Sequence, residues 1–377
     1  MRRFCMDNLG SFCKINNIEE VFELQQGMDF RLPQYRREVF LKLYEFNLKY
    51  KAHAGFVYGA FPYINKKFSL DTEQKLWLGF LNGCTQNIVT SWIIFELFPD
   101  INSFNVNTFN DWWNINYKKF IVGKGWDLDR RYFKIGKTGL TNCIKCYKEY
   151  VDKHGSQQNL FDSIVKYNDP YKNFRMLWDF VRNKLLSFGR LSTFSYTEFL
   201  KIQGLNIDCD DLLLEDISGS RSHRNGLCKV LGRDDLDWWK TKVTYSKETI
   251  NWLKDEADIL LQECKNRMKY DDISFYSLET ALCNYKSMHR PNRRYPNVYN
   301  DMFYNRIKYA ESMWDKDFSL FWDMRIEILP KELRVEDNPK DFGLHPYKQN
   351  FYLNTGQVVM MDKEWDCFKN DYNDYVN

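Results

Sequence analysis

Alanine is scarce in this chain, with six among 377 residues, against many Asn, Lys, Tyr, Phe and Ile. That bias reads as an AT-rich coding sequence and carries no chemistry of its own. Long apolar runs are missing too. The longest, Ile88 to Phe98, is interrupted by Thr90, Ser91 and Glu96 and falls far short of the ~20 residues that cross a bilayer. No positively charged leader with an apolar core opens the chain, which excludes a recognisable export signal and makes a soluble, intracellular protein the expectation. Strand-like alternation is rare, which argues against a β fold. The net charge is only +3, too small for whole-molecule attraction to a polyanion.

What is present is enough for a large core. Apolar residues make up 44%, aromatics 17% and charged residues 28%, which excludes global disorder. At roughly 150 residues per domain the length suggests two domains or one large helical body. The ten cysteines follow no repeating framework and are expected as reduced thiols.

Helical periodicity dominates. Phe40, Leu41, Leu43, Tyr44 and Leu48 mark one face of a segment over 34–54. Asp71 is placed to cap a helix over 72–81, and Thr85 one that Pro99 ends. Further helices are predicted over 108–120, 140–153, 170–187, 192–203, 246–269, 277–289, 298–314 and 318–328. Residues 204–235 and 330–350 read as irregular, and Tyr352–Met361 as the best strand and a short hairpin. The expected organisation is an N-terminal extension (1–33), a mainly α body (34–330) with a seam near 160–170, and a C-terminal extension (331–377) with hairpin and acidic tail.

Charge is unevenly spread. Seven basic residues lie between Lys118 and Lys137 against Asp127 and Asp129, and six between Lys286 and Lys308 against Asp301. Arg221, Arg224, Lys229 and Arg233 follow the acidic stretch from Asp208 to Asp216. Three basic segments interleaved with Trp and Tyr fit a nucleic-acid groove, and each alone also fits a solvated face.

Several common signatures fail. Gly136-Lys137-Thr138 ends like a phosphate loop, but Arg131 stands where its first glycine belongs. Cys143 and Cys146 form a single C-x-x-C without a second pair, so two thiols in a helix are expected and no metal. Zinc-protease, serine-hydrolase, dinucleotide and zinc-deaminase patterns are absent, and no cofactor is signalled.

Five clusters mix packing residues with polar groups. Gly83-Cys84-Thr85-Gln86-Asn87 runs into Thr90-Ser91-Trp92 and suits an anion or a base edge, or a plain helix cap. Asp129-Arg130-Arg131-Tyr132-Phe133-Lys134 suits phosphate or stacking, or forms a surface loop with an internal ion pair. Ser187-Phe188-Gly189-Arg190 puts an arginine beside a glycine able to make a tight turn. The stretch 218–226, with Arg221 and Arg224, reads as a flexible basic loop closing on substrate, or as a linker. On a helix, Glu279, Cys283 and Lys286 share one face, either as a site or as a salt bridge beside a packed thiol.

In this order, the clusters resemble the phage amino acid:DNA transferase family, also described with the α-glutamyl/putrescinyl-thymine pyrophosphorylases. The resemblance runs from Gly83–Trp92 through Trp112-Trp113, Asp129-Arg130-Arg131, Phe188-Gly189-Arg190 and Leu278–Lys286 to Tyr299–Arg306, and covers roughly 35–330. One departure is Asn305-Arg306 in place of an Asp-Arg pair.

The resemblance implies an all-helical fold distantly similar to DNA glycosylases, acting in the cytoplasm of an infected bacterial host. It implies duplex DNA whose hydroxymethyluracil has been phosphorylated by a separate kinase. The amine of an amino acid or polyamine then displaces phosphate or pyrophosphate, forming a C–N bond at the exocyclic methylene. Arg190 and Arg131 are first choices to stabilise the leaving charge, with Arg130, Asn87, Lys286 and Arg306 as further phosphate contacts. Glu279, then Asp129, would accept the amine proton. Lys134, Arg221 and Arg224 would hold DNA or a substrate carboxylate, and Trp92, Trp112, Trp113 or Tyr132 would stack on the flipped base. Cys283 or Cys84 could attack the pyrimidine. A glycosylase-like base-flipping enzyme and a non-catalytic DNA-binding protein are the competing readings. Against the first, no hairpin with following catalytic Lys and Asp is found, and Gly204-Leu205-Asn206 is a poor substitute.

Overall fold

A computed structural model describes residues 33–51, 56–120, 122–123, 129–130, 136–215, 221–237, 244–289, 302–329, 351–352 and 358–359. Among these are fourteen α-helices. They are α1 (Pro33–Lys49), α2 (Val57–Phe68), α3 (Thr72–Thr85), α4 (Ile88–Leu97), α5 (Val106–Asn116), α6 (Leu140–His154) and α7 (Gln157–Ile164). The series continues with α8 (Pro170–Lys184), α9 (Arg190–Ile202), α10 (Ser222–Val230), α11 (Lys247–Arg267), α12 (Phe275–Met288), α13 (Met302–Met313) and α14 (Ser319–Ile328). The protein is mainly α, as the periodicity indicates.

Among the described residues, pairing of strand type is confined to two-residue ladders. Val122–Gly123 runs parallel to Asp129–Arg130, and Phe351–Tyr352 antiparallel to Val358–Val359. Two residues a side do not make an independently stable hairpin, so the expected C-terminal hairpin is not supported.

The chain divides into two compact units, one from Met1–Ala54, Asp211–Met302 and Ile326–Asn377, the other from Gly55–Asp210 and Phe303–Arg325. In the first unit α12 is the central helix. Every residue from Phe275 to Lys286 except Thr280 is buried, under cover from α10 and α1. Tyr44 of α1 meets Ser277 Oγ at 2.6 Å, and Tyr285 donates to the Arg36 carbonyl at 2.9 Å.

In the second unit α4 holds the equivalent position, buried from Ile88 to Phe95. A helix apolar on all sides must be surrounded by protein. An aromatic stack runs beside it, with Phe80 and Tyr147 3.9 Å apart and near-parallel, and Trp77 donating to the Phe98 carbonyl at 2.7 Å. Asp71 and Gln74 form the reciprocal box that opens α3. The cap of α4 is Asn87, not Thr85, because the buried Thr85 hydroxyl is taken by Ser91 at 2.5 Å.

Three helices escaped the periodicity. In α2, Pro62 sits inside the helix and no side chain caps its start. Helix α7 is only eight residues long. Helix α10 corrects the flexible-loop expectation for the basic segment, since Ser222–Val230 is helical and every residue from His223 to Val230 is buried.

Candidate active site

The reason α10 folds lies in its partner. Gly226 stands mid-helix, and a Cβ there would come within 2.0 Å of the Leu282 carbonyl oxygen of α12. Only glycine lets the two backbones approach so closely. That approach presses the polar start of α10 against the polar stripe of α12. His223 Nδ1 lies 3.4 Å from Glu279 Oε1, and Lys286 Nζ donates to Ser222 Oγ at 3.0 Å. His223, Glu279 and Lys286 are all buried, with Cys283 between the two α12 residues. Removing a carboxylate or an ammonium from water costs several kcal/mol per ion unless it is well paired. A layer holding imidazole, carboxylate and ammonium together is therefore the candidate site of the first unit.

Asn284 strengthens this reading. It is buried, and among the described residues neither of its amide atoms has a hydrogen-bond partner, although buried amides are normally satisfied. The Oδ1 of Asn225, beside Gly226, is in the same condition.

An ion-pair frame holds the far end of α10. Asp234 accepts from Arg36 of α1 at 2.8 Å and from Lys229 of α10, and Lys229 also lies 3.2 Å from Asp237. Burial alone would raise the Asp234 carboxyl, but hydrogen bonds from Arg36 and Lys229 outweigh it and hold its pKa below the usual value. Burial pushes the neighbouring Cys228 thiol up to about 12.

The remaining expected residues separate by unit. Glu279, Cys283, Lys286, Arg221 and Arg224 belong to the first. Arg224 is buried, with its guanidinium 4.2 Å from the Tyr245 ring centroid. Burial pulls its pKa down.

Arg190, Asn87, Trp112, Trp113 and Arg306 belong to the second unit. Arg190 is the first residue of α9, buried, with its guanidinium 5.3 Å from the Phe194 ring. The turn before it is made by Ser187 in the left-handed region (φ 68°), not by Gly189, whose φ is −80°. Asn87 uses its side-chain oxygen to accept from Val89 N at 3.2 Å, which is helix capping. Arg306 is buried on α13.

Trp113 has no exposed surface and stacks with Phe109 and Phe120, so its ring is used in packing. Trp112 is partly exposed and lies against Trp314. Cys84 is fully buried and its thiol is pushed well above its ordinary value by burial, which withholds the thiolate a nucleophile needs. Burial likewise raises Cys143 to about 11. Only the backbone of Asp129 and Arg130 is described, and Arg131, Tyr132 and Lys134 lie outside the described residues.

Sequence reasoning missed His223, Asn284 and Tyr245. The only signal for His223 was an imidazole inside a basic stretch, and its partner is 56 positions away. Among the described residues no three His, Cys, Asp or Glu side chains are grouped to hold a metal ion, and no helix is long and apolar enough to cross a membrane.

A model of the amino acid:DNA transferase family matches residues 58–294, well over half the chain and a span that includes α10 and α12. A serinyltransferase of Salmonella phage ViI is 29% identical over 307 residues, covering 75% of this chain and 71% of that protein. No solved structure matches, so the glycosylase-like fold stays an implication of the resemblance. With the family's span enclosing the Gly226 crossing and its buried polar layer, the chain belongs to the amino acid:DNA transferase family.

Proposed function

We propose that this protein transfers an amino acid onto phage DNA at phosphorylated hydroxymethyluracil, leaving a hypermodified thymine. The carrying observation is the family match over 58–294, joined to a buried layer with the groups such a displacement requires. The amine lone pair forms the C–N bond to the exocyclic methylene, and the C–O bond electrons leave with phosphate or pyrophosphate. One amine proton passes to the Glu279–His223 pair, which lies at 3.4 Å. Lys286 supplies fixed positive charge for the developing anion. Because the phage relative is named a serinyltransferase, serine is the first donor to test, and polyamines come second. The reaction takes place in the host cytoplasm, downstream of a separate DNA kinase.

The test is nucleoside mass spectrometry on DNA carrying phosphorylated hydroxymethyluracil, incubated with the protein and a pool of amino acids and polyamines. A nucleoside heavier than thymidine by one amine substituent is expected. Unchanged DNA from folded protein, beside a competent control, would leave a binding protein. Released free base would point to a glycosylase.

A further inference from the structure

The first unit also contains a cavity of 320 Å³ beside α10 and the start of α11, lined by Arg224, Tyr245, Glu215, Lys247, Asn251 and Lys254 among others. That volume lies at the small end of ligand pockets. The walls carry both charge signs. Arg224 is stacked on Tyr245, and its Nη1 reaches the Leu214 carbonyl at 3.5 Å, so ring and backbone together fix the plane of its fork. A fork held in this way suits a carboxylate. Lys254 lies between Asp211 at 3.3 Å and Glu215 at 3.1 Å, while the Glu215 side chain remains 52% exposed.

These charges discriminate between ligands. A phosphate dianion entering here would meet Arg224 and Lys247 but also the carboxylate of Glu215. A free α-amino acid carries a carboxylate and an ammonium on one carbon and matches both signs. In sequence, Arg224 directly follows His223 on α10.

We propose that this cavity binds the free α-amino acid donor, with Arg224 taking the carboxylate and Glu215 the ammonium. The inference rests on the transfer reading above and gives that reaction a donor site.

Isothermal titration of the full chain with the standard L-amino acids, and with inorganic phosphate, identifies the tightest ligand. That ligand is then compared with its amide, which lacks the carboxylate, and its N-acetyl derivative, which lacks the ammonium. Both derivatives are expected to bind at least roughly tenfold more weakly, each having lost one charge-assisted contact. Glu215→Gln is expected to weaken the parent amino acid by a similar factor while leaving the N-acetyl derivative unchanged. Arg224→Lys should weaken the parent and the N-acetyl derivative but not the amide. If Arg224→Lys does not fold, Glu215→Gln on the exposed rim decides alone.

In a transfer assay Glu215→Gln should raise KM for the amino acid with little change in kcat. Transfer with an unaltered KM in Glu215→Gln would overturn the donor site and leave the transferase reading standing. Phosphate binding more tightly than every amino acid would also overturn it. No transfer from any amino acid, by protein that binds DNA, would overturn the reading beneath it.

Discussion

Among the described residues, each unit contains a close helix crossing at a glycine, and the two crossings differ in what surrounds them. At Gly83 of α3 an added Cβ would come within 2.7 Å of the Tyr196 ring of α9, and at Gly226 of α10 within 2.0 Å of a backbone oxygen of α12. Around Gly83 a neutral set of side chains bonds internally, although the buried Tyr196 hydroxyl has no hydrogen-bond partner among the described residues. The Ser91 hydroxyl lies 3.1 Å from Asn82 Oδ1 and 2.5 Å from Thr85 Oγ1, and Asn87 caps its own helix. Around Gly226 the groups are ionisable, and a buried asparagine has neither amide atom bonded among the described residues. The same packing device thus lies beside a neutral hydroxyl and amide network in one place and beside a layer of ionisable groups in the other. Close approach alone does not identify a site, whereas close approach that buries imidazole, carboxylate and ammonium together marks a candidate for one.

The sharpest way to break this comparison is to add a methyl group at each glycine. Gly226→Ala drives Cβ into a backbone carbonyl that cannot rotate away, so α10 must separate from α12. Stability is expected to fall by about 3 kcal/mol or more, at the upper end for overpacking, with transfer lost as His223 leaves Glu279. Gly83→Ala meets a ring that can shift, and about 1–3 kcal/mol is expected with turnover retained in the folded fraction. Urea denaturation and transfer assays on both variants check this. Equal losses of activity per folded molecule would contradict the contrast.

Next in size is Glu279→Gln. Glutamine keeps the volume and a hydrogen-bonding oxygen beside His223, so the urea midpoint should move little. Loss of the proton acceptor should slow single-turnover transfer by ~10²–10⁴-fold. Glu279→Asp should recover part of that rate. A Glu279→Gln enzyme at wild-type speed would reduce the layer to a buried ion pair.

How legible this was in the sequence depends on whether the cause was local. Helices α6, α8 and α11 could be read closely because period and start signals lie within one segment, such as Asp169 before Pro170 and Ser246 before Lys247. Helix α10 could not, since Ser-His-Arg-Asn-Gly is a poor helix former and is held helical by Leu282, 56 residues away. The α12 stripe of Glu279, Cys283 and Lys286 follows from spacing alone, but its partners His223 and Ser222 belong to tertiary structure. The left-handed turn before Arg190 was expected at a glycine and is made by Ser187, whose identity gives no such signal.

A smaller effect concerns acid. The native Asp234 pKa is held below its ordinary 3.8, so the native state binds fewer protons there than the unfolded chain does. Its stabilisation is complete above the ordinary aspartate range and is lost as pH falls through the native pKa. Asp234→Asn should therefore flatten the acid limb of the stability profile below about pH 4 while shifting the neutral plateau modestly, because the side chain is 40% exposed. An unchanged acid limb would show that the α10 frame does not depend on this pair.

The smallest effect tests the quiet side of the contrast. Ser91→Ala removes a hydroxyl that lies 3.0 Å from the Asn87 carbonyl, besides its contacts with Asn82 and Thr85. A buried neutral network losing one member should cost about 1–2 kcal/mol, read as a lower urea midpoint with an unchanged m-value. Transfer per folded molecule should stay at the wild-type level, since the Ser91 hydroxyl is assigned no part in accepting the proton or neutralising the leaving group. If turnover instead fell by roughly tenfold while the protein remained folded, equivalent to about 1.4 kcal/mol of barrier, the hydroxyl network would be part of the reaction. The Gly83 crossing would then have to be read as part of the chemistry rather than as core packing.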